Sequence, residues 1–372
     1  MSAPKKWITA LLGVVLLTAV LAACGSSSSD SSSSSSSGSE STTAEETGGG
    51  ETQEASDEEG SEESSGGGED VSGDKVTLLS LTPSCATCAN LTKSAEEVMQ
   101  EAGISVTTAT SEFGGAAEQI GQLNQALSTN PSAIVIWPTD TTSIIPVLER
   151  AKASNPDTKI IVTTYRPEIE EEGLYAAYVG ANDQSLGANQ AKALVEGLEK
   201  DGKPVEGGVL EIEGAPGAFT TIERKKGFDD ELAKIAPKLK IVGNQTANWD
   251  ATEATTTTSA LISKNTGEDI VGIFAHSDVM LNGSILAASR AGMVPGKDFI
   301  AVGIDCDIEG YNNIKSGKQF ATGLWDPFLI GKTTGEIAVE VLEGKEVPLE
   351  TEVPTPEIKK ENVTECDAAL AK

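Results

Sequence analysis

Ala133-Ile-Val-Ile-Trp137 is followed by a helical stretch, 142–154, and then by Lys159-Ile-Ile-Val-Thr-Thr-Tyr165. Two short apolar, β-rich runs flank one helix. A strand that is apolar at nearly every position is buried on both faces, as in a parallel sheet covered by helices. The alternation continues outward. Towards the N-terminus the pattern predicts strands at 76–81 and 104–110 and helices at 88–102 and 115–129. Beyond Val179-Gly180 it restarts, with helices at 185–200, 219–235, 251–264, 279–291, 308–316 and 328–343. Strands fall between them at 207–213, 239–246, 270–275, 299–305 and 319–325, and an extended segment, 351–358, closes the series. Two runs of such units predict an α/β chain of two lobes, each a parallel sheet flanked by helices.

The segments before this body are different in kind. Lys5 and Lys6 precede a mostly apolar run, Ile8 to Ala23, that is short for a membrane span and reads as an export signal. Residues 25–74 are nearly all Ser, Gly, Thr, Glu and Asp, with 14 acids and no Lys or Arg. Such a chain cannot bury enough apolar surface to offset its ordering entropy, so 24–74 reads as an acidic tether. Its r.m.s. span would be about 40 Å.

The whole chain of 372 residues carries a formal charge of −30 and a single histidine. That charge argues against a nucleic-acid binder, which needs clustered Lys and Arg. One histidine excludes His-rich metal centres. Removing signal and tether leaves 298 residues with 25 basic and 43 acidic side chains, enough for one large core or two smaller ones.

In open parallel sheets, ligands bind beyond the carboxyl ends of the strands. At these ends stand Trp137, Tyr165-Arg166, Phe219 after Gly214-Ala-Pro-Gly217, Trp249, His276-Ser277-Asp278, Asp305 and Trp325. All three tryptophans of the body lie there. Rings with a few charged groups between them suit a small polar molecule with apolar faces, such as a sugar. Gly214-Ala-Pro-Gly217 lacks the P-loop pattern and reads as a turn before a helix.

Leu21-Ala22-Ala23-Cys24 resembles the lipobox of bacterial lipoproteins, which implies a leader of 1–23 and a lipid on Cys24. Residues 75–358 resemble the type I periplasmic binding proteins of the ribose/galactose class, the solute receptors of sugar ABC transporters. The resemblance is carried by Ala133 to Asp140, Tyr178 to Asp183, Glu211 to Gly217, Arg224 to Phe228, Asn248 to Asp250, Phe274 to Asp278, Val302 to Asp305 and Thr322 to Pro327. It implies a type I periplasmic-binding-protein fold whose two lobes are joined by three hinge strands, near Gly180-Asn182, Trp325-Pro327 and Val353-Pro356. The N-lobe would comprise 75–181 and 327–353, and the C-lobe 182–326 and 354–372. The implied ligand-binding set is Trp137, Tyr165, Arg166, Phe219, Trp249, Ser277, Asp305 and Trp325. Several of these depart from the family's polar choices: Tyr165 stands for an aspartate, Trp137 and Ser277 for asparagines, and Trp325 for a polar hinge residue. Such a site favours a more apolar, aromatic or larger solute, or a glycoside, over a simple pentose or hexose.

With Cys24 lipidated, Cys85, Cys88, Cys306 and Cys366 remain in an oxidising compartment, which allows three pairings of two bridges. The family topology implies Cys85–Cys88 and Cys306–Cys366, each within one lobe. Cys85-Ala-Thr-Cys88 at a strand-to-helix junction also resembles a redox motif, and Cys85, Cys88, His276 and Cys306 are chemically suitable zinc ligands at an unfamiliar spacing. Neither displaces the main expectation. That expectation is a non-enzymatic lipoprotein with no cofactor, anchored on the outer face of the cytoplasmic membrane. It would act as a monomer, passing a small solute to an ABC permease. The alternative expectation is a sensory receptor serving a membrane kinase or chemoreceptor.

Overall fold

The structure, a computed structural model, describes residues 68–167 and 173–370. The leader, Cys24 and most of the tether lie outside the described residues. Two six-stranded sheets organise the rest. The first contains β1 (Lys75–Leu81), β2 (Ser105–Ser111), β3 (Ala133–Ile136), β4 (Lys159–Thr163), β5 (Ala177–Ala181) and β11 (Glu350–Val353). Their order is β11-β5-β4-β3-β1-β2, parallel throughout. The second contains β6 (Gly207–Glu213), β7 (Leu239–Thr246), β8 (Ile270–Ala275), β9 (Ile300–Asp305), β10 (Ala321–Leu324) and β12 (Glu357–Ile358). Its order is β12-β10-β9-β8-β6-β7, and only the β10–β12 pair is antiparallel.

Helices α1 (Ala86–Glu101), α2 (Ala116–Ser128) and α3 (Ile145–Ser154) connect the strands of the first sheet. Helix α4 (Asp183–Lys200) leads into the second, whose strands are joined by α5 (Phe219–Ile235), α6 (Ala251–Lys264), α7 (Asp278–Arg290) and α8 (Ile308–Lys315). Helix α9 (Pro327–Leu342) returns the chain to the first sheet, and a 3-10 helix (Lys360–Ala368) ends it. The strands of highest burial, β3, β5, β8 and β10, have no exposed residue on either face. That is the continuous apolar reading which marks sheets covered on both sides.

The chain crosses between the sheets three times. The first crossing, at Asn182, caps α4, its side chain accepting from the Ser185 N–H at 2.9 Å. The second, at Trp325-Asp326, caps α9: Asp326 accepts from the Phe328 and Leu329 N–H groups, and Pro327 occupies the first turn, where its missing N–H costs nothing. The third is Pro354-Thr-Pro356. The expected single segment 351–358 therefore splits between the two sheets, because two prolines cannot donate to a ladder. Val179-Gly180, read as a boundary, lies in the middle of β5.

Residues 68–74 depart from the tether reading. Val71 is buried in the core, the Glu69 N–H donates to Glu343 O, and the Gly73 N–H donates to Gly103 O. One buried apolar side chain and two backbone hydrogen bonds hold this end against the body.

Helices α4 and α5 approach closely because both present glycine. A Cβ on Gly187 would sit 2.0 Å from Arg224 O, and one on Gly227 would sit 1.9 Å from Gln184 O. Phe228, on the same face of α5, stacks on Phe274 of β8 at 4.1 Å between centroids. The cysteines pair as Cys85–Cys88 and Cys306–Cys366. The four thiols are thus bridged, and among the described residues no cluster of three or more His, Cys, Asp or Glu side chains gathers to hold a metal ion.

Candidate functional site

Both sheets reverse their strand order once, between β3 and β1 in the first and between β8 and β6 in the second. The crevice beyond the carboxyl ends at such a reversal is where a sheet of this type exposes a binding surface. The loops after these strands meet across the two sheets. Trp137, after β3, packs edge-on against Tyr165 at 5.7 Å and lies tilted by 37° against Trp325 at 6.1 Å. Tyr165, after β4, lies 6.4 Å from the ring of Phe219, at the start of α5. Its hydroxyl is 3.5 Å from Thr220 Oγ1. Burial pushes the Tyr165 phenol up to about 12, so it stays neutral.

Trp137, Tyr165 and Trp325 are each under 5% exposed. The indole Nε1 atoms of Trp137, Trp249 and Trp325 are buried without a hydrogen-bond partner. A buried N–H without a partner is costly and calls for an explanation, which a bound acceptor would supply.

The second sheet contributes ions. Arg224 lies on the buried stripe of α5 and is 4% exposed. Its Nε donates to Asp183 Oδ1 at 2.8 Å, and its Nη1 donates to His276 O at 2.5 Å and to Asp305 Oδ1 at 3.2 Å. The guanidinium also stands over the Trp249 ring at 5.9 Å. Trp249 reaches this position because Gly214 has no side chain; a Cβ there would lie 2.1 Å from Trp249 Cζ2. Burial pushes the Asp305 carboxyl up to about 6, with Arg224 pulling it back. Burial also raises Asp183, again against Arg224.

A further layer supports these groups. Asp278, fully buried at the start of α7, accepts from Thr322 Oγ1, Gln319 Nε2 and the Cys306 N–H, at 2.7, 2.7 and 2.9 Å. Burial and the charge of Asp305 push it up to about 7. His276 Nδ1 accepts from the Gly214 N–H at 3.4 Å, so Nε2 carries the proton and donates to Glu211 Oε1 at 3.1 Å. Burial and Arg224 hold the imidazole near 3, hence neutral. Glu211, pushed up to about 7 by burial, also takes Lys225 Nζ at 2.5 Å.

The backbone is bent to present the site. Thr164, Asn248, Trp249, Asp305 and Cys306 all have positive φ, between 48° and 120°. Each follows or ends a strand at the crevice. Non-glycine residues in this region cost about 1–3 kcal/mol each and persist only where their surroundings fix them. At Asp305 and Cys306 those surroundings are Asp278, the Cys366 bridge and the Trp325 N–H, which donates to Asp305 O at 3.3 Å.

Of the residues expected from the sequence, Trp137, Tyr165, Phe219, Trp249, Asp305 and Trp325 line this junction. Ser277 is buried beside it, but its hydroxyl is committed to capping α7, accepting from the Met280 N–H at 3.3 Å. Arg166 stands apart from these rings. It turns outward to Glu350 Oε2 at 2.6 Å and over Tyr178, and its side chain is 39% exposed. The buried cation is Arg224, which the sequence placed in a resemblance segment and not in the site. Its signal was legible: Thr220, Thr221, Arg224, Gly227 and Phe228 form one helical face, and an arginine among core positions requires buried partners. Asp278, named at a strand end, and Asp183, named in a resemblance segment, stayed outside the expected ligand-binding set because each is the first residue of a helix, where an acid is ordinary.

Residues 87–346 match the family model described as periplasmic binding protein domain. The ribose import binding protein of Bacillus subtilis is 31% identical over 258 residues, covering 69% of this chain and 78% of the relative. The galactofuranose-binding protein of Escherichia coli is 30% identical over 214 residues, covering 57% of this chain and 65% of the relative. A crystal structure of a galactofuranose binding protein superposes with a TM-score of 0.70 at 25% identity, covering 78% of this chain and 96% of that one. Matched over most of its folded body and built on the same two-sheet plan, the chain belongs to the periplasmic binding protein domain family.

Proposed function

We propose that this protein is the substrate-binding component of a sugar ABC importer, holding one saccharide between its two lobes and presenting it to a membrane permease. The observation that carries this reading is the junction itself. Aromatic rings from both sheets meet a buried Arg224–Asp305 pair at the carboxyl ends of the strands. Rings cover the apolar C–H faces of a sugar, the carboxylate accepts from its hydroxyls, and the guanidinium donates to its oxygens. No nucleophile paired with a base is needed for such a task. The sugar-binding relatives support the choice of solute. Ligand that touches both lobes favours the closed arrangement by its differential affinity, and a permease can read that arrangement.

The lipid on Cys24 and the placement on the outer face of the cytoplasmic membrane belong to this reading and rest on the lipobox sequence. A monomer suffices, since both halves of the junction come from one chain. The test is a melting-temperature screen of the full chain against D-ribose, D-galactose, D-xylose, D-allose, D-fructose, L-arabinose and xylitol. A binding sugar at 100-fold above its Kd should add about 2.7 kcal/mol of stability. A cooperative melt that none of these, nor any other saccharide, displaces would refute the reading.

A further inference from the structure

Resting on the receptor reading above, we infer that the solute is two-faced: a saccharide bearing an apolar or aromatic substituent, such as an aryl glycoside, in preference to a free pentose or hexose. The two sides of the junction differ in kind. The second sheet brings the buried ions, Arg224, Asp183 and Asp305, of which Asp305 keeps a partly exposed carboxylate. The first sheet brings Trp137 and Tyr165, with Trp325 at the crossing beside them. Its charged groups nearest these strand ends are spent elsewhere. Arg166 pairs with Glu350, and Asp140 accepts from the Thr142 and Ser143 N–H groups of its own turn. The side chains that meet at the junction from this side, Trp137, Tyr165 and Trp325, are therefore rings without ions.

The hydrogen-bonding character of this side sharpens the point. The Nε1 atoms of Trp137 and Trp325 are buried and without partners, and an indole can only donate. The one acceptor among these side chains is the Tyr165 hydroxyl, which lies beside Thr220. A free sugar laid against this surface would bury several O–H donors with almost nothing to receive them, which costs the desolvation of each. An apolar substituent surrenders no hydrogen bond there and gains ring contact. A glycosidic oxygen accepts and cannot donate, the complement of an unpartnered indole N–H. The hydroxylated ring of the same ligand then faces Arg224 and Asp305.

The experiment is calorimetric titration of the full chain with matched pairs. Each of D-ribose, D-galactose, D-xylose and D-glucose is compared with its α- and β-phenyl glycosides. For at least one sugar, a phenyl glycoside should bind at least tenfold more tightly than the parent. Trp137→Ala should lower the ratio of the two affinities. Trp137→Phe, which keeps one aromatic ring but loses the indole N–H and part of the ring area, should lower it less and guards against a variant that fails to fold. Parent sugars that bind as tightly as, or more tightly than, all their phenyl glycosides would overturn this inference and leave the receptor reading standing. A protein that melts cooperatively yet binds neither sugars nor glycosides would overturn both.

Discussion

Asp305 concentrates the demands made on single residues. It ends β9 at φ 120°, shares Arg224 with Asp183, and is pushed by burial up to about 6. A ligand hydroxyl donates more strongly to the carboxylate than to the neutral acid, so binding favours the ionised form. Affinity should therefore rise with pH up to about 6 and level off above it. Titration at pH 5 and pH 7.5 checks this: weaker binding at pH 5 is expected, and Asp305→Asn should weaken binding at pH 7.5 and flatten the profile. An unchanged affinity across that range in the wild-type chain would remove Asp305 from the site. Arg224→Leu makes a different prediction. It strands Asp183 and Asp305 in the interior, and loss of one partner of a buried pair costs about 3–5 kcal/mol. Burial holds both carboxyls above their ordinary values, so the fold takes up protons more readily than the unfolded chain. The variant's deficit should thus shrink as pH falls towards 4, as melting curves at several pH values would reveal.

Among the elements, the two bridges should behave unequally. Cys85–Cys88 closes a separation of 3 residues, and Cys306–Cys366 one of 60. Loop-closure entropy gives about 2 kcal/mol for the first and about 4 kcal/mol for the second. The longer bridge also ties the terminal 3-10 helix to the bent backbone at Asp305-Cys306. Chemical denaturation should show Cys366→Ser losing more stability than Cys88→Ser; the reverse order would contradict this role. The elements themselves were largely legible. Strands 207–213, 239–246 and 270–275 and helices 219–235 and 251–264 coincide with β6, β7, β8, α5 and α6. Apolar runs of one period, bounded by caps and turns, fix such segments locally. Legibility failed where a neighbour decides the outcome. Helix α3 begins at Ile145 and not at 142 because Asp140 first closes a turn over 142–143. Arg166 pairs with Glu350, 184 residues later, a contact that no local pattern carries. The aromatic members of the site were readable from their strand-end positions, whereas Asp183 and Asp278 acquire their roles only from partners distant in sequence.

At the scale of the whole molecule, three crossings leave two sheets joined by short segments, one of them pinned where Asn182 Nδ2 meets Glu352 at 3.2 Å. On the proposed reading, closure around a solute would be a rotation about few residues, since neither Cys85–Cys88 nor Cys306–Cys366 links the elements of one sheet to those of the other. On the proposed reading, Cys24 would carry the lipid that anchors this body. In cells, Cys24→Ala should release the protein from the membrane fraction and abolish its labelling by a radioactive fatty acid, and retention of the label would contradict lipidation there. The central claim, that the solute sits between the two sheets at the aromatic junction, is most directly tested by a crystal structure of the chain with the saccharide or glycoside that stabilises it most. The account predicts ligand density in contact with Arg224 and Asp305 on one side and with Trp137 and Trp325 on the other. Density elsewhere, for instance in the 250 Å³ groove between α4 and α5 lined by Asn182, Ser185 and Asp230, with the junction unchanged, would contradict it.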